Sequence, residues 1–387
     1  MITSKPARTF VTSVSWLVLS GMAGVFLGFN ASVAEAGAAF RFVVIPDRAG
    51  GTRPGIFDSA IAKCNLLQPD FVMSVGDHIN GYSEDAAVLR RQWDEVEGIV
   101  RTLTMPYHYV PGNHDIGNPT MARVWEERHG PPYYHFVREN VLFLCLNTQD
   151  GKRDSGFIGT QQCAYALAAL TSNVNVRWTF VFMHQPLWRR TTSPDLAGWK
   201  PIEDALHNRR ATIFAGHEHT YEQCVRDGHD YFILATAGGG SALTGPFYGL
   251  FDHIMLVSML SNGPHYANLM LDGVAAKDVA TPVSHAYARQ LDRQVGATIA
   301  PLIGGTMLSG TMTTTVCLRN DSDLVQRFDG EWQRHDTLQY APLFLRATLQ
   351  PGEQRAFNIK LTASPPLPLE TTACPRLAWT QRMNPPG

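Results

Sequence analysis

Tyr107–Asp115 reads Tyr-His-Tyr-Val-Pro-Gly-Asn-His-Asp. Tyr107–Val110 is rich in aromatic and β-branched residues and predicts a short strand. Pro111 and Gly112 end it, and Asn113, His114 and Asp115 then set an amide, an imidazole and a carboxylate directly beyond its carboxyl end. The same sentence is written elsewhere in the chain. Arg41–Pro46 (RFVVIP) runs into Asp47, Phe71–Val75 (FVMSV) into Gly76-Asp77, and Thr179–Met183 (TFVFM) into His184. Thr212–Phe214 (TIF) is followed by Gly216-His217-Glu218-His219, and Val141–Leu146 (VLFLCL) reads as another buried strand.

Between these runs, Ile56–Leu67, Glu84–Leu103 and Gly159–Leu170 have helical spacing, with Pro54-Gly55 where the first should begin. Alternating strands and helices predict an α/β layered domain, and open α/β sheets place their ligand crevice at the carboxyl ends of strands. After Glu218 the pattern changes to strands alone, at Tyr231–Ala235, His253–Ser258 and Ala267–Leu271, with Asp272-Gly273 turning into Val274–Val279. Ala280–Ala300 reads as a connector with one short helix. Thr311–Leu318, Leu324–Phe328, Leu343–Leu349 and Ala356–Leu361, separated by Asn-Asp, Asp-Gly and Pro-Gly turns, predict a small β-sandwich. The expected division is a signal segment over 1–36, an α/β domain over 37–280, a linker over 281–300 and an all-β sandwich accessory domain over 301–387.

Composition agrees with this plan. A chain of 387 residues exceeds what one hydrophobic core usually organises, and 44% hydrophobic residues exclude global disorder. A net charge of -2 argues against nucleic-acid binding by bulk charge. The 6 cysteines are dispersed and form no Cys-x-x-Cys; Cys145 sits in an apolar strand, while Cys317 and Cys374 are candidates for a bridge in the β-region. Neither a Gly-x-Ser-x-Gly elbow nor a Gly-x-x-x-x-Gly-Lys loop occurs, which removes serine-hydrolase and P-loop chemistry. Lys5 and Arg8, the apolar run Phe10–Phe29 and Ala34-Glu35-Ala36 form the parts of a secretory signal, cleaved after Ala36 and implying a periplasmic or secreted protein. The competing reading is an uncleaved membrane anchor, since the run is about long enough to span a bilayer.

Asp47, Asp77, Asn113, His184, His217 and His219 supply two carboxylates, an amide oxygen and three imidazoles. Mixed oxygen and nitrogen donors suit Mn, Fe, Zn or Co. The set exceeds what one tetrahedral ion needs, so a pair of ions sharing a carboxylate is the economical arrangement, able to clamp an in-line displacement at phosphorus. Gly238-Gly239-Gly240-Ser241 either approaches a phosphate or forms a positive-φ loop beside the crevice, and Trp188 and Trp199 either line a pocket or fill the core.

In this order, Asp47, Gly76-Asp77, Gly112-Asn113-His114-Asp115, His184-Gln185-Pro186 and Gly216-His217-Glu218-His219 resemble the motifs of the calcineurin-like metallophosphoesterases, a family that includes purple acid phosphatases, nucleotidases and phosphodiesterases. The resemblance spans about residues 40 to 280. It implies a two-sheet sandwich flanked by helices and an enzyme that hydrolyses phosphate mono- or diesters by metal-activated hydroxide attack, and the signal segment makes the expected enzyme an exported one. It further implies that Asp77 bridges two ions, that Asp47 and His219 hold one, and that Asn113, His184 and His217 hold the other. His114 would donate to the phosphoryl oxygen or protonate the leaving alkoxide, and Asp115 would orient it.

One motif departs from the family. Its usual Asp-x-His is here Asp47-Arg48-Ala49, and the tyrosine by which purple acid phosphatases make up the loss is replaced by Asn80. Arg48 is a new cation able to bind phosphate with its fork of donors. His78, beside Asp77, is a candidate substitute donor, although neighbouring residues tend to point to opposite sides. The missing donor motivates an alternative: a catalytically weakened module on the same fold, with an envelope or carbohydrate partner on its β-domain. The primary reading has a small-molecule phosphate ester as its partner.

Overall fold

β1 (Phe40–Ile45) alternates between two interiors: Phe42 and Val44 face one apolar cluster while Val43 and Ile45 face another. That is why its sequence is nearly continuous in apolar residues, as expected of a strand covered on both faces. The computed structural model describes residues 37–151, 156–189, 198–271, 273–300, 307–333, 337–368 and 377–383. The expected signal segment over 1–36 lies outside the described residues.

From β1 the chain passes through α1 (Ile56–Leu67), β2 (Phe71–Ser74), α2 (Ala86–Val100), β3 (Tyr107–His108), α3 (Asn113–Ile116) and α4 (Pro119–His129). It then forms β4 (Tyr134–Arg138), β5 (Val141–Cys145), α5 (Thr160–Ser172), β6 (Trp178–Phe182), α6 (Lys200–Leu206), β7 (Ala211–Ala215), β8 (Glu222–Arg226) and β9 (His229–Ile233). The antiparallel run β10 (His253–Leu260), β11 (Gly263–Met270) and β12 (Val274–Ala275) completes this part. One sheet has 6 strands in the order β12-β11-β10-β1-β2-β3, the other 6 in the order β4-β5-β6-β7-β9-β8. β1, β2 and β3 are mutually parallel, as are β5, β6, β7 and β9.

Phe42, Phe71, Phe143, Phe180, Phe182 and Phe214 fill the space between the sheets, with Phe42 stacked on Phe71 at 5.3 Å and edge-on to Phe180 at 5.0 Å. Fully burying each such ring contributes about 1.5–3 kcal/mol. On the outer faces, α1, α2 and α4 pack on the first sheet and α5 and α6 on the second. This is the helix-flanked two-sheet sandwich expected from the sequence. β4, β8, α4 and α6 lie outside the expected elements; the start of α4 was written in Asn118-Pro119, a capping side chain followed by proline at the first turn. Trp188 and Trp199 are buried among the apolar residues under α5 and α6, so they fill the core.

The stretch expected as a connector holds a 13-residue helix, α7 (Pro282–Gln294), capped by Thr281, and β13 (Val295–Ile299). β13 pairs with β14 (Met307–Asn320), so sheet structure begins at Val295 rather than beyond residue 301. β15 (Gln326–Trp332), β16 (Leu338–Ala341), β17 (Phe344–Leu349), β18 (Gln354–Pro368) and β19 (Leu377–Met383) follow. They form sheets of 4 strands (β13-β14-β18-β16) and 3 strands (β17-β15-β19). The two share a core of Val316, Ile359, Phe328, Leu345 and Leu349, joined by Leu291 of α7. None of the described cysteines forms a disulfide; Cys374, the suggested partner of Cys317, lies outside the described residues. Among the described residues no helix is long and apolar enough to cross a membrane.

Candidate metal centre

Parallel pairing sets the carboxyl ends of β1, β2 and β3 along one edge of the first sheet and those of β6 and β7 along the matching edge of the second. The polar residues that follow these strands meet there. Asp47, Asp77 and His219 each bring one donor atom within 4.8 Å of the others, and so do Asp77, His184 and His217. Asp77 belongs to both groups. Asn113 joins the second, its Oδ1 lying 2.9 Å from His184 Nε2 and 2.9 Å from His217 Nδ1.

The local backbone is bent to achieve this. Asp77, His217 and His219 all have positive φ (59°, 72° and 51°), a region that costs an ordinary residue about 1–2 kcal/mol. Such conformations cluster where function requires them. Gly112 is obligatory for a different reason: a Cβ there would lie 2.1 Å from Asp77 Oδ1.

Hydrogen bonds decide which ring nitrogen faces inward. His184 Nδ1 donates to the Val75 carbonyl at 2.8 Å, leaving Nε2 for the cluster. His219 Nδ1 donates to the Gly240 carbonyl at 2.7 Å, turning Nε2 to within 3.4 Å of Asp47 Oδ2. The glycine run 238–240 therefore serves as the backing of His219. His114 Nδ1 donates to the Asn80 carbonyl at 2.7 Å, and its Nε2 lies 3.9 Å from Asp77 Oδ2.

The donors have a surplus of lone pairs. In a neutral ring, His184 Nε2 carries a lone pair, yet it faces Asn113 Oδ1 at 2.9 Å and Asp77 Oδ2 at 3.2 Å, both acceptors. Asp47 Oδ1 is buried without any hydrogen-bond partner. Burial alone would push the Asp77 carboxyl up, but His184 and His114 override it and hold it at about 2. Burial likewise disfavours the His184 imidazolium, yet Asp77 and Asp47 raise it to about 9. His219 is raised against its burial by Asp47. Each of these effects calls for positive charge in the same place, which a proton or a metal ion can supply. The residues present fit metal ions, since the donors are the nitrogen and oxygen types that first-row metals accept.

Residues 40–221 match the family model for calcineurin-like phosphoesterase. That stretch is a calcineurin-like metallophosphoesterase domain. The chain is 27% identical over 204 residues to the serine/threonine-protein phosphatase CPPED1 of Danio rerio, covering 46% of this chain and 64% of that protein. It is 27% identical over 187 residues to the human CPPED1, covering 42% of this chain and 58% of that one. The chain thus spans about three fifths of the length of these curated relatives. Among solved structures, a dimetal phosphatase from Danio rerio aligns with 14% identity and a TM-score of 0.46, over 62% of this chain and 99% of that one.

The site differs from the sequence expectation at Arg48 and Asp115, and neither candidate for the missing donor, His78 or Asn80, takes that place. Arg48 does not offer its fork to a phosphate: Nη1 donates to the His78 carbonyl at 3.0 Å and Nη2 pairs with Glu95 of α2. Asp115 does not orient His114. Fully buried, it accepts from the backbone N–H groups of Asp77, His78 and Gly112 at 2.8–2.9 Å and faces His78 Nδ1 at 3.0 Å, tying the turns after β2 and β3 together. His78 is no substitute donor, because it lies in the aromatic packing under α2 and α4, against Trp93, Tyr109 and Trp125, with Nε2 3.1 Å from the Tyr107 hydroxyl. Asn80 accepts at its side chain from Thr52 at 2.8 Å and so does not fill the gap at Ala49 either.

The sequence points to the loop from Arg189 to Lys200 as one that sets the substrate, but gives no individual role to Arg189, Glu222, His285 or Tyr82. A cleft of about 530 Å³ beside the cluster is lined by Pro186, Arg189, His217 and Glu218. Arg189 pairs there with Glu218 and Glu222, and Glu222 in turn lies 3.3 Å from His285 of α7. Tyr82, exposed and at φ 49°, accepts from Asn113 Nδ2 at 2.7 Å and sets its ring edge-on to His114 at 4.6 Å. Arg189 follows a histidine motif closely enough to have been suspected; Tyr82 left no comparable signal.

Proposed function

We propose that this chain is an exported, metal-dependent phosphoric ester hydrolase acting on phosphate mono- or diesters at a dinuclear centre. The observation that carries the proposal is the sharing of Asp77 between two donor groups, with Asp47 Oδ1 buried and unsatisfied beside it. Asp47 and His219 would complete one site with Asp77, and Asn113, His184 and His217 the other. A pair of ions held there supplies charge for the phosphoryl oxygens and a bound water acidic enough to attack at neutral pH.

The chain's own residues account for the rest. His114 keeps its Nδ1 proton on the Asn80 carbonyl, so only Nε2 is open towards the reacting group; protonated there, it donates to a phosphoryl oxygen or to the departing alkoxide. Arg189, rather than Arg48, is the guanidinium at the cleft; its two terminal nitrogens pair with Glu218 and Glu222, so it binds a phosphate only by exchanging one of these carboxylates for it. Export is supported by Lys5, Arg8, the apolar run Phe10–Phe29 and the Ala34-Glu35-Ala36 site.

The alternative of a scaffold with weakened chemistry draws on one observation: Ala49 is buried where the family carries an imidazole, and neither His78 nor Asn80 takes its place. A panel of chromogenic phosphate mono- and diesters, assayed with Mn, Fe, Zn or Co, separates the two. Turnover that requires metal supports the hydrolase; metal-loaded protein inert to every ester supports the scaffold.

A further inference from the structure

The segment Asn80–Gly81–Tyr82 touches the two residues of the Gly112-Asn113-His114 turn that the proposed chemistry needs most. Asn80 supplies the carbonyl that takes the His114 Nδ1 proton at 2.7 Å. Gly81 lies so close beneath His114 that a Cβ at residue 81 would meet its carbonyl oxygen at 1.8 Å. Tyr82 closes the wrap, its hydroxyl accepting from Asn113 Nδ2 at 2.7 Å and its ring meeting the His114 ring at 4.6 Å. The segment is itself anchored by Gln92 of α2, whose Oε1 accepts from Gly81 N at 2.9 Å.

Two features suggest a requirement rather than an accident of packing. Tyr82 keeps a left-handed backbone, φ 49°, which is unfavourable for a bulky side chain. It is also 62% exposed, so burial of its ring does not explain the conformation. What the conformation achieves is the contact with Asn113 and His114.

Resting on the dinuclear reading above, we infer that Tyr82 is a positioning residue for Asn113 and His114. Its hydroxyl fixes the Asn113 amide with Oδ1 turned towards His184 and His217, the arrangement a cation at that half of the centre requires. Donation from Nδ2 to the hydroxyl also draws electron density towards Oδ1, because hydrogen bonds in a chain polarise one another. The ring restricts His114 to the orientation in which Nε2 points at the reacting group. One exposed side chain thereby couples retention of an ion to placement of the proton donor.

The test compares the wild-type chain with Tyr82→Phe and Tyr82→Leu. Each protein is loaded with Mn²⁺ and dialysed against graded chelator, and retained Mn²⁺ per chain is measured, together with the melting temperature of the metal-free proteins and kcat at saturating Mn²⁺. Tyr82→Phe should release one of its ions at about 10-fold lower chelator, the lower end of the 10–100-fold typical of partners behind a ligand. Its metal-free melting temperature should match wild type. Tyr82→Leu should release that ion equally early and, with the ring gone, show a lower kcat than Tyr82→Phe at full loading. Equal Mn²⁺ retention in wild type and Tyr82→Phe overturns the inference. So does a fall in metal-free melting temperature that accounts for the loss. A wild-type chain that binds no Mn²⁺ removes the dinuclear reading itself, and the wild-type arm alone shows this.

Discussion

The two halves of the cluster are built to different standards. Around His184, an imidazole locked by a backbone carbonyl, a second imidazole, an amide locked by Tyr82 and the shared Asp77 surround one point. Around Asp47, among the described residues, there are only His219 and the same Asp77, with a buried alanine at residue 49 where the family motif has a histidine. Both halves sit at strand ends of the same sandwich, so the fold does not cause the difference. It arises from one side chain missing at one strand end, and the neighbours that could have compensated are engaged elsewhere: His78 with Asp115 and Tyr107, Asn80 with Thr52. A half with fewer protein donors should hold its ion more weakly and show more dependence on added metal.

Asp77→Asn gives the most severe test of the shared donor. The charge common to both halves is lost while the shape is kept, so both ions should be lost and turnover should fall to that of buffer; metal analysis showing one ion undisturbed would mean the halves do not share Asp77. His114→Ala follows. It touches neither half as a donor, so metal content should persist while turnover falls by about 10²–10⁴-fold, the usual contribution of a positioned acid. Should this variant lose metal as readily as His217→Ala, His114 belongs among the ligands instead.

Ala49→His attacks the asymmetry directly. Restoring an imidazole beside Asp47 should tighten the weaker half by about 10-fold or more, measured by titration with Mn²⁺, and leave the other half unchanged. Unaltered affinity at both halves would show that residue 49 does not face the ion. The smallest effect is expected from a chain ending at Ala280. Every donor of both halves precedes that point, so metal content should equal that of the full chain. The melting temperature should fall, because α7 and its His285–Glu222 contact are removed. Loss of the ion next to His217 in that shortened chain would show instead that the Arg189–Glu222–His285 series supports the site.

Much of this could be read from the chain alone, and the reason is local. Runs such as Arg41–Pro46 and Thr179–Met183 are apolar on both faces, which is visible in any window of the sequence, and a strand's end fixes where the next side chain begins. Asp47, Asp77, Asn113, His184, His217 and His219 were legible as a set because each directly follows such a run, and parallel strands share one carboxyl edge. Of the elements missed, β4, β8 and α6 are short and half-exposed or polar, so their local pattern is weak, whereas α4 carried a start signal at Asn118-Pro119. What only the tertiary structure decided is where a side chain points once its strand has ended. Arg48 turns to Glu95, 47 residues away, and Asp115 turns to the backbone after β2, 37 to 38 residues away. Tyr82 reaches Asn113 across 31 residues, from a left-handed backbone that its own sequence disfavours. Such directions depend on partners brought together by sheet packing, and a hydrogen bond has no signature in the spacing of the residues that make it.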